Sequence, residues 1–152
     1  MIFNRLKMLL SERELTISQV AKDTGLSRTT LTYMVQNNSK GIQLATLNQL
    51  CQYLHVLPED FFEYYPFDVA YQFQRDQDKI TVAASILENG QIVQKAQLTG
   101  KMTDDTCKIA YTELEKQFAD YYVKMSIFAK TLLKNQFKAV AKEKATQDIE
   151  LI

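Results

Sequence analysis

The most constraining feature of this chain is a run of small and conformationally special residues at fixed spacing, TISQVAKDTGLSRTTLTYMVQNN, from Thr16 to Asn38. Gly25 permits a sharp turn, because glycine readily adopts the left-handed backbone that ends helices. Leu26 plugs the corner, and the Ser27 hydroxyl can cap the free N–H groups of a helix that follows it. Ala21, four residues before the turn, is small enough for two helices to cross closely, while Leu31 and Met34 hold the second helix against a core. The spacing predicts one helix over 18–24, a tight turn, and a second helix over 27–36, ended by Asn37 and Asn38.

The flanks share this helical grammar as far as Pro66. Ile2, Leu6, Leu9 and Leu10 recur at helical spacing and predict a first helix over 2–13. A fourth helix over 46–55 turns Leu47, Leu50, Cys51 and Leu54 inward, and Pro58-Glu59-Asp60-Phe61-Phe62 opens a short helical turn that supplies Phe61 and Phe62 to the core. Beyond residue 66 the pattern changes. Val69, Tyr71 and Phe73 alternate with polar residues, as do Ile80, Val82, Ala84 and Ile86, and Asn89-Gly90 fits a type I′ hairpin turn. With a third strand over 91–98 this predicts a three-stranded antiparallel meander. Residues 103–144 contain no Gly or Pro and read as one long helix. The expected fold is mainly α with an α+β C-terminal part: a five-helix domain over 1–66, then the meander and the long helix over 67–152.

Charge narrows the function classes. Eighteen Lys and Arg balance eighteen Asp and Glu among 152 residues, which excludes a global basic field, so an anion-binding surface must come from local segregation. Residues 1–57 show such a bias: Arg5, Lys7, Arg13, Lys22, Arg28 and Lys40 stand against Glu12, Glu14 and Asp23. No apolar run approaches the roughly 20 residues of a membrane span, and the opening MIFNRLKMLLSERE lacks a small-residue cleavage site. Cys51 and Cys107 form no CxxC pair and suit a reducing compartment, so a cytoplasmic protein without membrane attachment is expected. Cys51 reads as core. His55, the single histidine, falls at the end of the fourth helix, and Asp104-Asp105 reads as helix capping. No phosphate-loop, nucleophile-elbow, zinc-protease or dinucleotide pattern occurs; no cofactor, no metal and no enzymatic activity are expected.

The Ala, Gly, apolar, Ser and apolar spacing over 16–38, followed by a fourth helix and the Pro-Glu-Asp-Phe-Phe turn, resembles the lambda-repressor-like helix-turn-helix family, the phage Cro or xenobiotic-response-element type. The likeness covers residues 1–66. It implies that 27–36 is a recognition helix lying in the major groove of double-stranded DNA. On that helix Arg28, Thr29, Thr32 and Tyr33 fall away from Leu31, Met34 and Val35 and are the candidate base readers. Arg28 can present its fork to guanine, Thr29 or Thr32 can touch a thymine methyl, and Tyr33 can reach a base edge or phosphate. Ser18, Gln19, Ser27, Asn38, Ser39 and Lys40 are the candidate phosphate contacts. The chain departs from the family in two ways. Ile17 stands where a phosphate-binding Gln is common, and Leu10 and Val35 stand where an Arg–Glu pair is often buried; losing both charges together leaves no orphaned ion.

In the C-terminal half, Tyr111, Leu114, Phe118, Tyr121, Met125, Phe128 and Leu132 follow Cys107 at alternating spacings of three and four, with Asn135 and Ala139 continuing the series. Such a seam suits homodimerisation by knobs-into-holes packing; alternatively it covers the chain's own sheet. Lys130, Lys134, Lys138 and Lys142 form a row that reads as a solvated face, with an added phosphate contact as the other reading. The functional expectation is a transcriptional regulator, more a repressor than an activator, binding palindromic operator DNA as a homodimer. Two alternatives stand beside it: a protein-interaction module of antitoxin or anti-repressor type, and a ligand-sensing regulator with a small-molecule pocket lined by Tyr71, Phe73, Tyr111 and Phe118.

Overall fold

Ile2-Phe3-Asn4 does not extend the first helix backwards. It forms β1 (Ile2–Asn4), which pairs antiparallel with β2 (Phe62–Tyr64), Phe3 opposite Glu63. Two β-prone triplets far apart in sequence outweigh a local helical spacing, because each supplies the other's missing backbone partners. The computed structural model describes residues 1–152, and these divide into two compact units, Ile2–Tyr64 and Tyr65–Ile152, with Met1 assigned to the latter.

Between β1 and β2 run α1 (Leu6–Glu12), α2 (Ile17–Thr24), α3 (Arg28–Val35), α4 (Leu44–Leu54) and the single turn α5 (Pro58–Phe61). Their core is Leu6, Leu9, Leu10, Val20, Leu31, Met34, Leu50, Cys51, Leu54 and Phe61. Leu10 belongs to it and Val35 packs against it, as two apolar residues replacing an ion pair should. Ile17 also packs inward, which explains an apolar residue where the family favours Gln. Gly25 closes α2 at φ 76°, donating its N–H to Ala21 O at 2.9 Å. His55 is the left-handed C-cap of α4 at φ 55°.

The second unit is built on a five-stranded mixed sheet, not a three-stranded meander. Its order is β3 (Asp68–Asp76), β4 (Lys79–Glu88), β5 (Gln91–Met102), β6 (Thr106–Ile109) and β7 (Asp148–Leu151). The β4–β5 hairpin turns through Asn89 and Gly90, both at positive φ, 51° and 76°, as a type I′ turn requires. The single long helix expected over 103–144 is also replaced. Cys107 lies on β6, which pairs antiparallel with β5 and parallel with β7. Three helices follow: α6 (Tyr111–Gln117), α7 (Ala119–Tyr122) and α8 (Ile127–Ala145). Thr106-Cys107-Lys108-Ile109 alternates exposed and buried side chains at period two, and the sheet claims that pattern. The helical stretch then breaks without Gly or Pro, because Ser126 caps a new start, its Oγ accepting from Ala129 N at 3.1 Å.

This geometry removes the proposed dimer seam. Tyr111, Leu114 and Phe118 are fully buried and Met125 nearly so within this chain, Tyr121, Phe128 and Leu132 are half-buried, and Asn135 and Ala139 are exposed. Five of the seven positions are spread over three helices, and Phe118 and Met125 fall in the breaks between them, so no continuous stripe exists. Instead α8 turns Ala129, Leu133, Phe137, Ala141 and Ala145 inward, and the helices lid the sheet residues Ile80, Val82, Ala84, Ile86 and Leu98. The pocket expected among Tyr71, Phe73, Tyr111 and Phe118 is filled by Phe137, whose ring centroid lies 5.0 Å from Tyr71, 5.3 Å from Phe73 and 5.0 Å from Tyr111. Tyr111 and Tyr122 share a buried hydroxyl contact of 2.9 Å, faced by the buried Tyr71 hydroxyl. Burial pushes all three phenols above their ordinary value, Tyr71 and Tyr111 the furthest. In the lysine row, Lys134 Nζ sits 5.7 Å from the Tyr111 ring centroid and Lys142 pairs with Asp148 at 2.6 Å. No helix is long and apolar enough to cross a membrane.

Candidate nucleic-acid interface

The candidate reading element is α3, and its two faces are cleanly divided. Leu31 and Met34 are buried, while Arg28, Thr29 and Tyr33 are exposed, Tyr33 by 53%. Arg28 makes no ion pair, so its guanidinium is available to a ligand. Thr32 is half-buried and its hydroxyl donates to Arg28 O at 2.8 Å, which turns that group back onto the helix. The helix start is held by Ser27, whose Oγ accepts from Thr30 N at 3.0 Å and donates to Thr30 Oγ1 at 2.8 Å. The cap occupies the Ser27 hydroxyl and leaves the first backbone N–H groups of α3 open, with the positive end of the helix dipole behind them.

The other phosphate candidates lie at helix ends and in the loop after α3. Ser18 and Gln19 are exposed in the first turn of α2. Gln19 Nε2 donates to Asp23 Oδ1 at 2.8 Å, and Tyr53 Oη donates to Asp23 Oδ2 at 2.7 Å. These two hydrogen bonds, Gln19 first, hold the Asp23 carboxyl below its usual value, so it is an anion at neutral pH. Asn38, Ser39 and Lys40 are exposed and, with Tyr33 and Thr30, line a cleft of about 560 Å³ beside α3.

Several residues that set this geometry are not singled out by sequence reasoning. Asn4 is the one buried polar side chain of the unit. Its Nδ2 donates to Met34 O at 2.8 Å and its Oδ1 accepts from Leu6 N at 3.1 Å. Asn37, left-handed at φ 54°, answers with its own amide: Asn37 Oδ1 accepts from Asn4 N at 2.8 Å, and Asn37 Nδ2 donates to Asn4 O at 3.1 Å. The pair ties β1 to the C-terminal end of the recognition helix. Thr16 caps α2, its Oγ1 accepting from Gln19 N at 3.1 Å; the Thr16–Gln19 spacing matches the first half of a capping box and is readable in the sequence. Arg13 closes α4 by donating to Leu54 O at 3.2 Å, and Gln49 Nε2 donates to Thr24 O. Spacing does not announce the long-range ties of Asn4 and Gln49, because Met34 lies 30 residues from the first and Thr24 lies 25 residues from the second.

No group of three or more His, Cys, Asp or Glu side chains gathers in an arrangement that holds a metal ion. Cys51 and Cys107 are buried free thiols, and burial raises both.

A solved structure of a Bacteroides fragilis protein, described provisionally as DNA-binding, is 28% identical; the match spans 41% of this chain and all of that one, with a TM-score of 0.38. No curated protein matches the chain. Over residues 5–66 the sequence matches the Cro/C1-type helix-turn-helix DNA-binding domain, and the structure there has the capped helices, the Gly25 turn and the outward Arg28 ridge described above.

Proposed function

We propose that this protein is a sequence-specific transcriptional repressor that binds palindromic operator DNA as a homodimer. It acts by occupancy rather than by catalysis, denying polymerase the sites it covers, in the cytoplasm. The observation that carries this reading is the exposed, ion-pair-free ridge of Arg28, Thr29 and Tyr33 on a helix whose opposite side is buried in a matched DNA-binding domain. Arg28 reads guanine O6 and N7 in the major groove, and Thr29, Thr32 and Tyr33 complete the base contacts. The open N–H groups at the start of α3, which the Ser27 cap holds in place, fix register on phosphates together with Ser18, Gln19, Asn38, Ser39 and Lys40. Two such helices, one per subunit, enter successive major grooves about 34 Å apart.

Selection of bound sequences from random duplex DNA, using the full chain, tests the reading. An inverted repeat with half-site centres about one helical turn apart is expected. Recovery of unenriched random sequence would end the proposal, and a single unrepeated half-site would end its dimeric part.

A further inference from the structure

The two edges of the five-stranded sheet are not alike. The β7 edge is four residues long and carries Asp148 and Glu150, so it is short and charged. The β3 edge is nine residues long, pairs with β4 in unbroken register from Asp68 to Asp76, and contains no Pro, Gly or bulge. Beyond its bonds to β4 its backbone makes no hydrogen bond, so a row of N–H and C=O groups faces outward. Sheet proteins usually blunt such an edge with central charges or proline. Here the charges are confined to the ends, and Arg75 is drawn off the edge, donating to Ala145 O at 2.8 Å and Thr146 Oγ1 at 2.9 Å. The lid is also incomplete at this strand: Val69, Tyr71 and Phe73 are half-buried, whereas Ile80, Val82 and Ile86 beside them on β4 are fully buried.

We propose that a second copy of this chain pairs with β3, antiparallel across a two-fold axis through Phe73, joining the two five-stranded sheets into one. Antiparallel self-pairing is isologous, so each edge supplies the groups the other lacks. In this register Phe73 faces its own copy, Tyr71 faces Arg75, and Gln72 faces Gln74 on the open side of the sheet. Centring the axis on Gln72 sets Asp68 against Asp76, and centring it on Tyr71 runs Asp76 against Pro66, which has no donor. The pairing rests on the homodimer proposed above and names its surface, but the exposed edge is observed independently of any DNA.

Sedimentation of the full chain without DNA tests it. The unaltered chain is expected to be a dimer at tens of micromolar. Q72K/Q74K, at two exposed side chains that leave the core untouched, is expected to raise the dissociation constant at least about tenfold with an unchanged circular dichroism spectrum, because lysine then faces lysine. Q72E/Q74E is expected to do the same, and an equimolar mixture of the two variants to recover the dimer. A monomeric unaltered chain, a dimer indifferent to Q72K/Q74K, or a mixture that fails to recover would each overturn the pairing. A dimer that responds as expected yet selects no DNA sequence supports the pairing and overturns the operator reading instead.

Discussion

Arg28 and Asn4 stand in opposite relations to α3, one exposed on its surface and the other buried against its C-terminal end. Arg28 is exposed on α3 and unpaired, so its removal leaves the fold intact and withdraws one contact. Arg28→Ala is expected to cost about 1–3 kcal/mol at a single base position and to relax preference there, measured by affinities for a panel of operator variants. A uniform loss across the panel would assign Arg28 to phosphate instead. Asn4 touches no duplex but satisfies Met34 O and Leu6 N inside the unit. Asn4→Leu orphans both and is expected to lower stability by about 1–3 kcal/mol in urea unfolding. An unchanged midpoint would mean that water replaces the amide. The outward position of Arg28 is legible in the sequence, and the burial of Asn4 is not. Outward positions on a helix follow from spacing alone, whereas a buried amide is defined by partners some thirty residues away.

At the scale of elements, legibility follows the range of the interactions. The α2–turn–α3 unit is local: Gly25, Ser27, Leu31 and Met34 meet within a few residues of one another, and the structure places each where its chemistry requires. The Asn89-Gly90 hairpin is local too. The β1–β2 pair and the β6–β7 pair are not. Their strands are short; only a distant partner distinguishes Ile2–Asn4 from a helical stretch, and Thr106–Ile109 meets its parallel partner β7 only after the three helices. The heptad-like spacing from Cys107 onward matches burial only in part: Cys107, Tyr111, Leu114, Phe118 and Met125 are buried within this chain, whereas Asn135 and Ala139 are exposed. Gly100 marks the place where this matters most. A methyl group there would lie 2.8 Å from Ile109 Cγ1 and 3.0 Å from Cys107 Sγ. Gly100→Ala is therefore expected to destabilise the second unit by about 1–3 kcal/mol through overpacking, seen as a lower melting temperature of its transition. A neutral result would show that β6 can shift away from β5.

For the molecule as a whole, charge is balanced within each unit. Ile2–Tyr64 holds six Lys and Arg and six Asp and Glu, which leaves twelve of each for the remainder. Few cations are available to neutralise phosphate, so the slope of log affinity against log salt is expected to be no steeper than about −4 for the dimer. A much steeper slope would require cations outside α3 and its loop. The buried phenols give the second unit a limit at alkaline pH. Folding favours the neutral form of Tyr71, Tyr111 and Tyr122, so this stabilisation is complete below the unfolded value near 10 and is lost as pH rises beyond it. In an ultraviolet titration these three of the eight tyrosines are expected to ionise only together with loss of tertiary dichroism; eight simple titrations would contradict the buried cluster. One last consequence follows from β7, which lies after α8 in the chain yet completes the sheet beside β6. Because a ribosome releases residues in order, the amino-terminal unit can settle while translation continues. The other cannot complete its sheet until β7, made after α8, brings Ile149 into the core beside β6.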